Sequence, residues 1–362
     1  MKRRHLNPRV LVLALAISLF GAPSGALGSS SPTCTPEHGQ ASIDAGELPR
    51  AIRTFTCVID AEPTEVDGYR GRAEALLLLG RFSDAYHDYN TGVTALVVPL
   101  HPNAFGTIYD HYAARLSVDP DSISALTGAS FARWVNFDYP QAIQVLNQLL
   151  GVAPDDLFGT LFRGSSRLLH GKTTVKGVAE LNRAIELAPD SPDVRYIVAD
   201  AYTYGLPDPV RAAAEANLAL DGGLDTARVH AILAASHNAF DELVPAAEHI
   251  ERHFELVTTE LISTAPLAAG DSVTLDLVPG RSYAIPIAAS AGQTISISTS
   301  SPDFWDSIAV LFAPDGAPVV SSDDDNVYFA EFDLEAVATG TYVLYVSSFE
   351  SVSTGELVVE RS

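Results

Sequence analysis

One pattern in this chain returns often enough to dictate its architecture. Tyr139, Ala142, Ile143, Leu146, Leu149 and Leu150 fall three and four residues apart, which places them on one face of an α-helix. Gly151 and Pro154 end that helix, because proline has no N–H for the hydrogen-bond ladder and clashes with the preceding turn. The pattern recurs at Leu181, Ala184, Leu187 and Pro189, and earlier at Leu48, Ala51, Phe55, Ile59 and Pro63. Pro63, Pro120, Pro154 and Pro189 close successive units, the last two intervals being 34 and 35 residues. An amphipathic helix repeated at such an interval is half of a two-helix unit. It cannot bury its apolar face alone, so the units must stack.

The spacing predicts helical hairpins over 36–63, 66–97, 122–154, 157–189, 192–221 and 225–260. Between Pro99 and Pro120 it predicts a single helix, 103–116, inserted so as to break the regular superhelix. His170-Gly171-Lys172-Thr173-Thr174 lengthens one turn, and the alanine-rich final unit reads as the cap of the stack. The second unit resembles the tetratricopeptide repeat. Tyr69 stands at its large site, Ala73 at the small site between helices, Gly80 at the turn, Phe82 at the aromatic that follows, and Ala85 and Tyr89 on the second helix. The resemblance covers roughly residues 36–260. It implies a right-handed solenoid whose concave groove, formed by first helices such as 122–135, holds a peptide or another protein, and it implies no catalysis. Arg133, Trp134, Tyr196 and Tyr202, with Tyr204, are the groove candidates, although aromatics at helical spacing are more often packing residues.

From Ala265-Pro266 the texture changes to alternation with period two: Val273, Leu275, Leu277; Tyr283, Ile285, Ile287; Tyr342, Leu344, Val346. Turn clusters such as Pro279-Gly280, Ala291-Gly292 and Pro314-Asp315-Gly316 separate the runs. Short alternating strands so spaced predict an antiparallel sandwich of about eight strands. Ala291-Gly292-Gln293-Thr294-Ile295, the run Asp306 to Gly316, Ser322 to Asp325 and Ala338-Thr339-Gly340-Thr341-Tyr342 resemble the bacterial pre-peptidase C-terminal domain, a jelly-roll-like appendage of exported proteins. That resemblance implies secretion, retention or polymer binding. No protease domain precedes it, so no peptidase activity is implied.

The expected organisation is therefore a signal peptide at 1–28, a spacer at 29–35, helical repeats at 36–262 and a β-sandwich at 263–362. Lys2, Arg3, Arg4 and Arg9 precede the apolar run Val10 to Phe20, too short to span a bilayer, and Ala26-Leu27-Gly28 suits a signal peptidase. The formal net charge is −23, and about −27 once those four cations are removed. A chain so acidic repels phosphate backbones and anionic lipid, which argues against nucleic acid and membrane surfaces as partners. The two cysteines, Cys34 and Cys57, bracket the first hairpin. In an oxidising compartment they read as a disulfide stabilising by about 3 kcal/mol, the alternative being two buried thiols.

Candidate chemistry is sparse. Asp323, Asp324 and Asp325 with Asn326 form the densest oxygen cluster, and Asp303 and Asp306 are expected nearby in the fold. Calcium takes six to eight such oxygens, but EF-hand spacing is absent and a solvated acidic turn reads equally well. His249 and His253 lie four apart on a helix, with His230 and His237 on the preceding one; a surface pair or a metal site fits that spacing. Gly171-Lys172-Thr173 lacks the phosphate-loop glycine, since Ser166 occupies its place. No other cofactor is implied. The expected function is an exported non-catalytic scaffold binding a protein or peptide, with the β region attaching to a surface, polymer or secretion route. The alternative is a carbohydrate- or matrix-binding accessory protein that recognises its ligand through the sandwich, and an enzyme built on the repeats stands third.

Overall fold

The repeated apolar spacing resolves into helices joined by turns whose chemistry is local. The computed structural model describes residues 34–62, 65–89, 104–240, 242–277, 280–300, 307–323, 331–348 and 355–361. The helices are α1 (Pro36–Asp44), α2 (Leu48–Ala61), α3 (Val66–Leu78), α4 (Phe82–Tyr89), α5 (Ala104–Val118), α6 (Ile123–Val135) and α7 (Tyr139–Val152). They continue as α8 (Leu157–Leu169), α9 (Thr174–Leu187), α10 (Pro192–Tyr204), α11 (Pro209–Asp221), α12 (Ala227–Asn238) and α13 (Leu243–Val257). The N-caps of α6, α8, α10 and α12 are Ser122, Asp156, Ser191 and Thr226, whose side chains accept from first-turn N–H groups left free by the helix. Within the hairpins, Gly80 and Gly171 take the left-handed conformation just past α3 and α8. Phe137 occupies the same place past α6 with φ 57°, where any side chain is strained.

One apolar cluster runs from Ala73 on α3 to Leu233 on α12, so the hairpins share a continuous core. The stack departs from a regular series of hairpins at one point. Phe55 of α2 lies against Gly71 of α3, where an added Cβ would stand 2.1 Å from the ring, and Tyr112 of α5 lies against Gly128 of α6 in the same way, at 2.2 Å. Gly71 and Gly128 are the sixth residues of their helices. Thus α5 stands to α6 as α2 stands to α3. As expected, this helix is an extra one between two hairpins; it packs on α6 and is tied to α3 by Arg115 donating to Glu74 at 2.6 Å and by a 2.8 Å contact between Arg70 and His111. α4 packs against α3, with Phe82, Ala85 and Tyr89 in the same apolar cluster as Ala73, Leu76 and Leu77.

The strands are β1 (Glu260–Ser263), β2 (Ser272–Leu277), β3 (Arg281–Ala289), β4 (Thr294–Ser300), β5 (Ser307–Phe312), β6 (Pro318–Asp323), β7 (Glu331–Glu335), β8 (Gly340–Ser348) and β9 (Gly355–Arg361). They form sheets ordered β1-β3-β8-β5-β6 and β2-β9-β4-β7, and both sheets supply one apolar cluster that includes Ile285, Leu344, Ile297 and Leu357. The expected all-antiparallel pairing is corrected at one edge. β1 pairs parallel with β3, with Glu260 opposite Arg281, so the first sheet is mixed. The boundary drawn at 262/263 falls inside that strand. The final hairpin is also more than a cap, because Ala231, Ala234, Ala247, Ile250 and Phe254 pack with Val310, Phe312 and Tyr345 of the first sheet.

Candidate functional site on the inner face of the helical stack

The first helices of successive hairpins touch, α3 with α6, α6 with α8, α8 with α10 and α10 with α12, whereas α7, α9 and α11 make no comparable contacts with one another. Helices that crowd on one side and spread on the other define a curve, and the first helices lie on its inside. Across that inside lies α4. At 1.5 Å per residue its eight residues are about 12 Å long. Helices packed 8–10 Å apart would spread four neighbours over roughly 24–30 Å if flat. Yet α4 touches all four of α6, α8, α10 and α12, because the layer wraps around it.

The contacts follow one stripe. The Phe82 ring meets Phe158 and Phe162 of α8 edge-on, with centroids 6.0 and 5.4 Å away. Tyr86 meets Trp134 of α6 at 6.1 Å, and Tyr89 meets Phe131 at 5.5 Å. Beneath them Phe158 stacks on Phe162 at 4.4 Å and Trp134 stands edge-on to Phe162 at 5.0 Å. Offset and edge-to-face pairs of this kind bring the positive ring edge to a negative ring face. Polar contacts fix the ends. The Ser83 N–H donates to Asp193 Oδ1 of α10 at 2.6 Å, so a carboxylate from another hairpin caps α4 and sits at the positive end of its dipole. At the other side Arg228 of α12 donates to Tyr86 Oη at 3.2 Å and lies 5.2 Å from its ring centroid, while also donating to buried Asp200 at 2.8 Å. Arg72 of α3 holds Asp88 through two bonds of 2.7 Å.

Burial shifts two of these groups. The Asp193 carboxyl is pushed up by desolvation and by nearby Asp84, against the opposing pull of the Ser83 and Phe82 N–H groups. The Tyr89 phenol is pushed well up by burial, and its Oη has no hydrogen-bond partner among the described residues. Such an orphaned hydroxyl costs the desolvation of a polar group without return.

The named groove candidates sit differently. Trp134, Tyr196 and Tyr202 are 5, 1 and 1 % exposed. As open groove residues they are corrected: their large apolar rings fill the space between helices. Trp134 lies under α4 with its Nε1–H donated to Ser165 Oγ at 3.2 Å, and Tyr202 lies under the Arg211 guanidinium, 4.4 Å from the ring centroid. Arg133 remains half-exposed, paired with Asp138 at 2.8 Å and stacked 4.0 Å over Tyr109. Tyr204 is exposed beside Arg228. Phe82, Tyr86, Phe131, Phe158, Phe162, Asp193 and Arg228 were not singled out as binding residues. The aromatic spacing of α4 was visible, but its partners come from four distant hairpins.

Cys34 and Cys57 form a disulfide with Cα atoms 5.8 Å apart. Asp306, Asp324 and Asp325, with Asp303 and Asn326, lie outside the described residues, and of Asp323 only its backbone place at the end of β6 is described. His249 and His253 do not face one way. His253 is buried with Nδ1 3.0 Å from the Ala227 carbonyl oxygen, whereas His249 Nδ1 stands 2.9 Å from His230 Nδ1 and its ring stacks on His237 at 5.5 Å. Burial, then the proximity of His230 and His237, pushes His249 down to about 4. Among the described residues no group of three or more His, Cys, Asp or Glu is arranged to hold a metal ion, and no helix is long and apolar enough to cross a membrane.

Against known proteins, no family profile matches this chain and no curated protein matches it. Among solved structures it is similar to a tetratricopeptide repeat protein from Parabacteroides merdae, at 18% identity over 62% of this chain and 78% of that one, with a TM-score of 0.38. It is similar also to a thermophilic repeat protein of the same kind from Thermus thermophilus, at 18% identity over 60% of this chain and 97% of that one, with a TM-score of 0.32. A pre-peptidase C-terminal domain of a collagenase from Bacillus anthracis matches 28% of this chain and 95% of its own length, at 15% identity and a TM-score of 0.24.

Proposed function

We propose that this chain is an exported, non-catalytic scaffold for protein–protein contact. The inner face of the helical stack takes a protein segment, and the two-sheet region, jelly-roll-like, attaches the molecule to a surface, polymer or secretion route. The observation that carries this reading is the seating of α4: four hairpins already grip an amphipathic helix by rings at one stripe and polar groups at its ends. A face that holds one such helix has the shape and chemistry to hold another. Export is supported by the cationic start and apolar run within residues 1–28 and by the Cys34–Cys57 disulfide, a bond that persists in oxidising compartments.

The reading is tested in the full chain by placing a photo-reactive residue at Tyr204, on the rim of the inner face, at Val175 on an outer helix, and at Thr274 on β2. A discrete protein adduct at Tyr204 and none at Val175 is the expected result. Adducts confined to Thr274, or glycan adducts there, would move recognition to the β region and overturn it.

A further inference from the structure

The four hairpins from α6 to α13 turn at one edge of the stack. Their first helices run side by side, and the ends meet: a Cβ added at Gly205, just past α10, would stand 2.7 Å from the Leu168 carbonyl carbon near the end of α8. Residues in repeat register therefore lie in a row along that edge. In the turns they are Phe137, Lys172, Leu206 and Phe240, at intervals of 35, 34 and 34 residues. The second residues of the helices that follow are Pro140, Val175, Val210 and Val244. All eight are exposed, the three valines by 57–85 %. A lone exposed apolar residue is ordinary, whereas a row of them along one edge is a patch with a purpose.

We propose that this turn edge is a membrane-docking surface, which rests the helical stack on a lipid bilayer bearing anionic headgroups. The edge is apart from the inner face, and the proposal stands whether or not that face takes a partner. Two observations point to lipid. The first is charge. Lys172 and Lys176 flank Val175, and apart from Lys2 they are the only lysines in the sequence. Neither has an ion pair among the described residues. The carboxylates described at these turns are already engaged: Asp138 by Arg133 at 2.8 Å, Asp208 by the Arg211 N–H at 3.1 Å and Glu242 by His237 Nδ1 at 2.7 Å. The edge is thus apolar and locally cationic on a chain of formal net charge −23. The overall acidity argues against anionic lipid for the chain as a whole, but it does not decide this contact. At physiological salt the Debye length is about 8 Å, so carboxylates farther away are largely screened. Ammonium groups beside apolar side chains are what an anionic bilayer surface attracts.

The second observation is strain. Phe137 holds φ 57° at the place where Gly171, past α8, takes 71° freely. Its ring stands edge-on to Tyr139 at 6.2 Å and remains 72 % exposed. In water this phenylalanine costs stability and gains little burial, the signature of a residue kept for function. Entry of the turn tips into the headgroup region supplies the missing burial, for Phe137 and for the apolar residues in register with it.

The test uses the full chain with vesicles of phosphatidylcholine, alone or mixed with phosphatidylglycerol. A polarity-sensitive fluorescent residue placed at Val175 is expected to shift to the blue when mixed vesicles are added. The same residue at Val118, exposed at the opposite edge just before α6, is expected to stay unchanged. This site-resolved signal is separate from any lipid contact made by residues 1–28. Phe137→Gly/Phe240→Ser is expected to raise the vesicle concentration needed for the Val175 shift at least about tenfold. Phe137→Gly alone raises the denaturation midpoint, which separates lost docking from lost folding. Lys172→Gln/Lys176→Gln is expected to erase a preference of about tenfold or more for mixed over pure phosphatidylcholine vesicles. Absence of a shift at Val175 with every vesicle overturns the proposal, as does an equal shift at Val118. Concentration-dependent doubling of mass without vesicles, abolished by Phe137→Gly/Phe240→Ser, makes the edge a contact between copies and overturns the lipid.

Discussion

Two surfaces of the helical stack are covered by the chain itself, and they are covered differently. At its far end the last hairpin meets the first sheet through Ala231, Ala234, Ala247, Ile250, Phe254 and Val310. There the chain passes directly from α13 into β1, which is laddered onto β3, and Thr258 Oγ1 lies 2.6 Å from Ser282 Oγ. On the inner face α4 meets rings edge-on and takes its N-terminal cap from a remote carboxylate, and Tyr89 Oη has no hydrogen-bond partner among the described residues. At the joint the alanines, Ile250 and Val310 pack with the rings of Phe254, Phe312 and Tyr345, and β1 ladders onto β3 beside them. On the inner face aromatic edges and a carboxylate from another hairpin hold α4.

The largest expected effect breaks the comparison if the joint is not the firmer surface. Phe254→Ala should lower the free energy of unfolding by about 3–5 kcal/mol, the ordinary cost of emptying a packed phenylalanine site, as measured by denaturant titration. Phe82→Ala removes a more deeply buried ring, 1 against 9 % exposed, yet should cost less than about 2 kcal/mol globally if local release of α4 limits the loss. Hydrogen exchange should then find α4 amides unprotected while those of α8 keep their protection. Equal global costs for the two substitutions would make α4 a structural element.

Acid should push the two surfaces in opposite directions. His249, on the joint hairpin, is held at about 4 against an ordinary 6.5. The unfolded chain therefore takes up its proton first, and stability is lost as pH falls from about 6.5 toward 4. The groups facing it are His230 and His237, themselves beside Asp225 and Glu242. A His249→Gln variant should flatten that part of the stability profile. Asp193 has a raised value, so the seated state holds its proton more tightly than the released state. Docking of α4 should strengthen as pH falls through that raised value, read as slower amide exchange in α4. Asp193→Asn keeps an acceptor and removes the disfavoured charge. It should tighten α4 at neutral pH and cancel its acid response.

The smallest effect concerns the turn beside the inner face. Phe137→Gly relieves a left-handed side chain at an exposed site and should stabilise the α6–α7 hairpin by about 0.5–1 kcal/mol, seen as a shift in the denaturation midpoint.

Much of this architecture was legible because its causes are local. The three-and-four spacing around Leu146 makes a helix wherever it occurs, and Gly80 and Gly171 can end helices without strain. Alternation at Ile285 and Leu344 marks strands for the same reason. The candidate site was legible only in part. Phe82, Ala85 and Tyr89 read as a second helix and do form a helix, but their apolar stripe fits a second-helix slot and the inner face equally well. The glycine at the sixth position of α3 and α6, each facing an aromatic from the helix before it, was the available signal that α5 packs on α6. Tyr196 and Tyr202 had the spacing of either lining or packing, and burial decided for packing, whereas Trp134 is buried because it lies on the inner face under α4. His249 and His253 share a helix face by arithmetic, yet their neighbours draw one ring to His230 and the other to the Ala227 carbonyl.

What the chain determined by itself is the set of pieces: where each helix starts and stops, where period two replaces period 3.6, and which residues are apolar. What tertiary structure alone decided is which piece lies against which. The parallel pairing of β1 with β3, the docking of the last hairpin on the sheet and the placing of α4 across four hairpins all depend on partners far away in sequence. The physical reason is that hydrophobic burial is non-directional. An apolar stripe specifies that it must be covered, and only shape, charge and unsatisfied polar groups in the assembled fold select the cover.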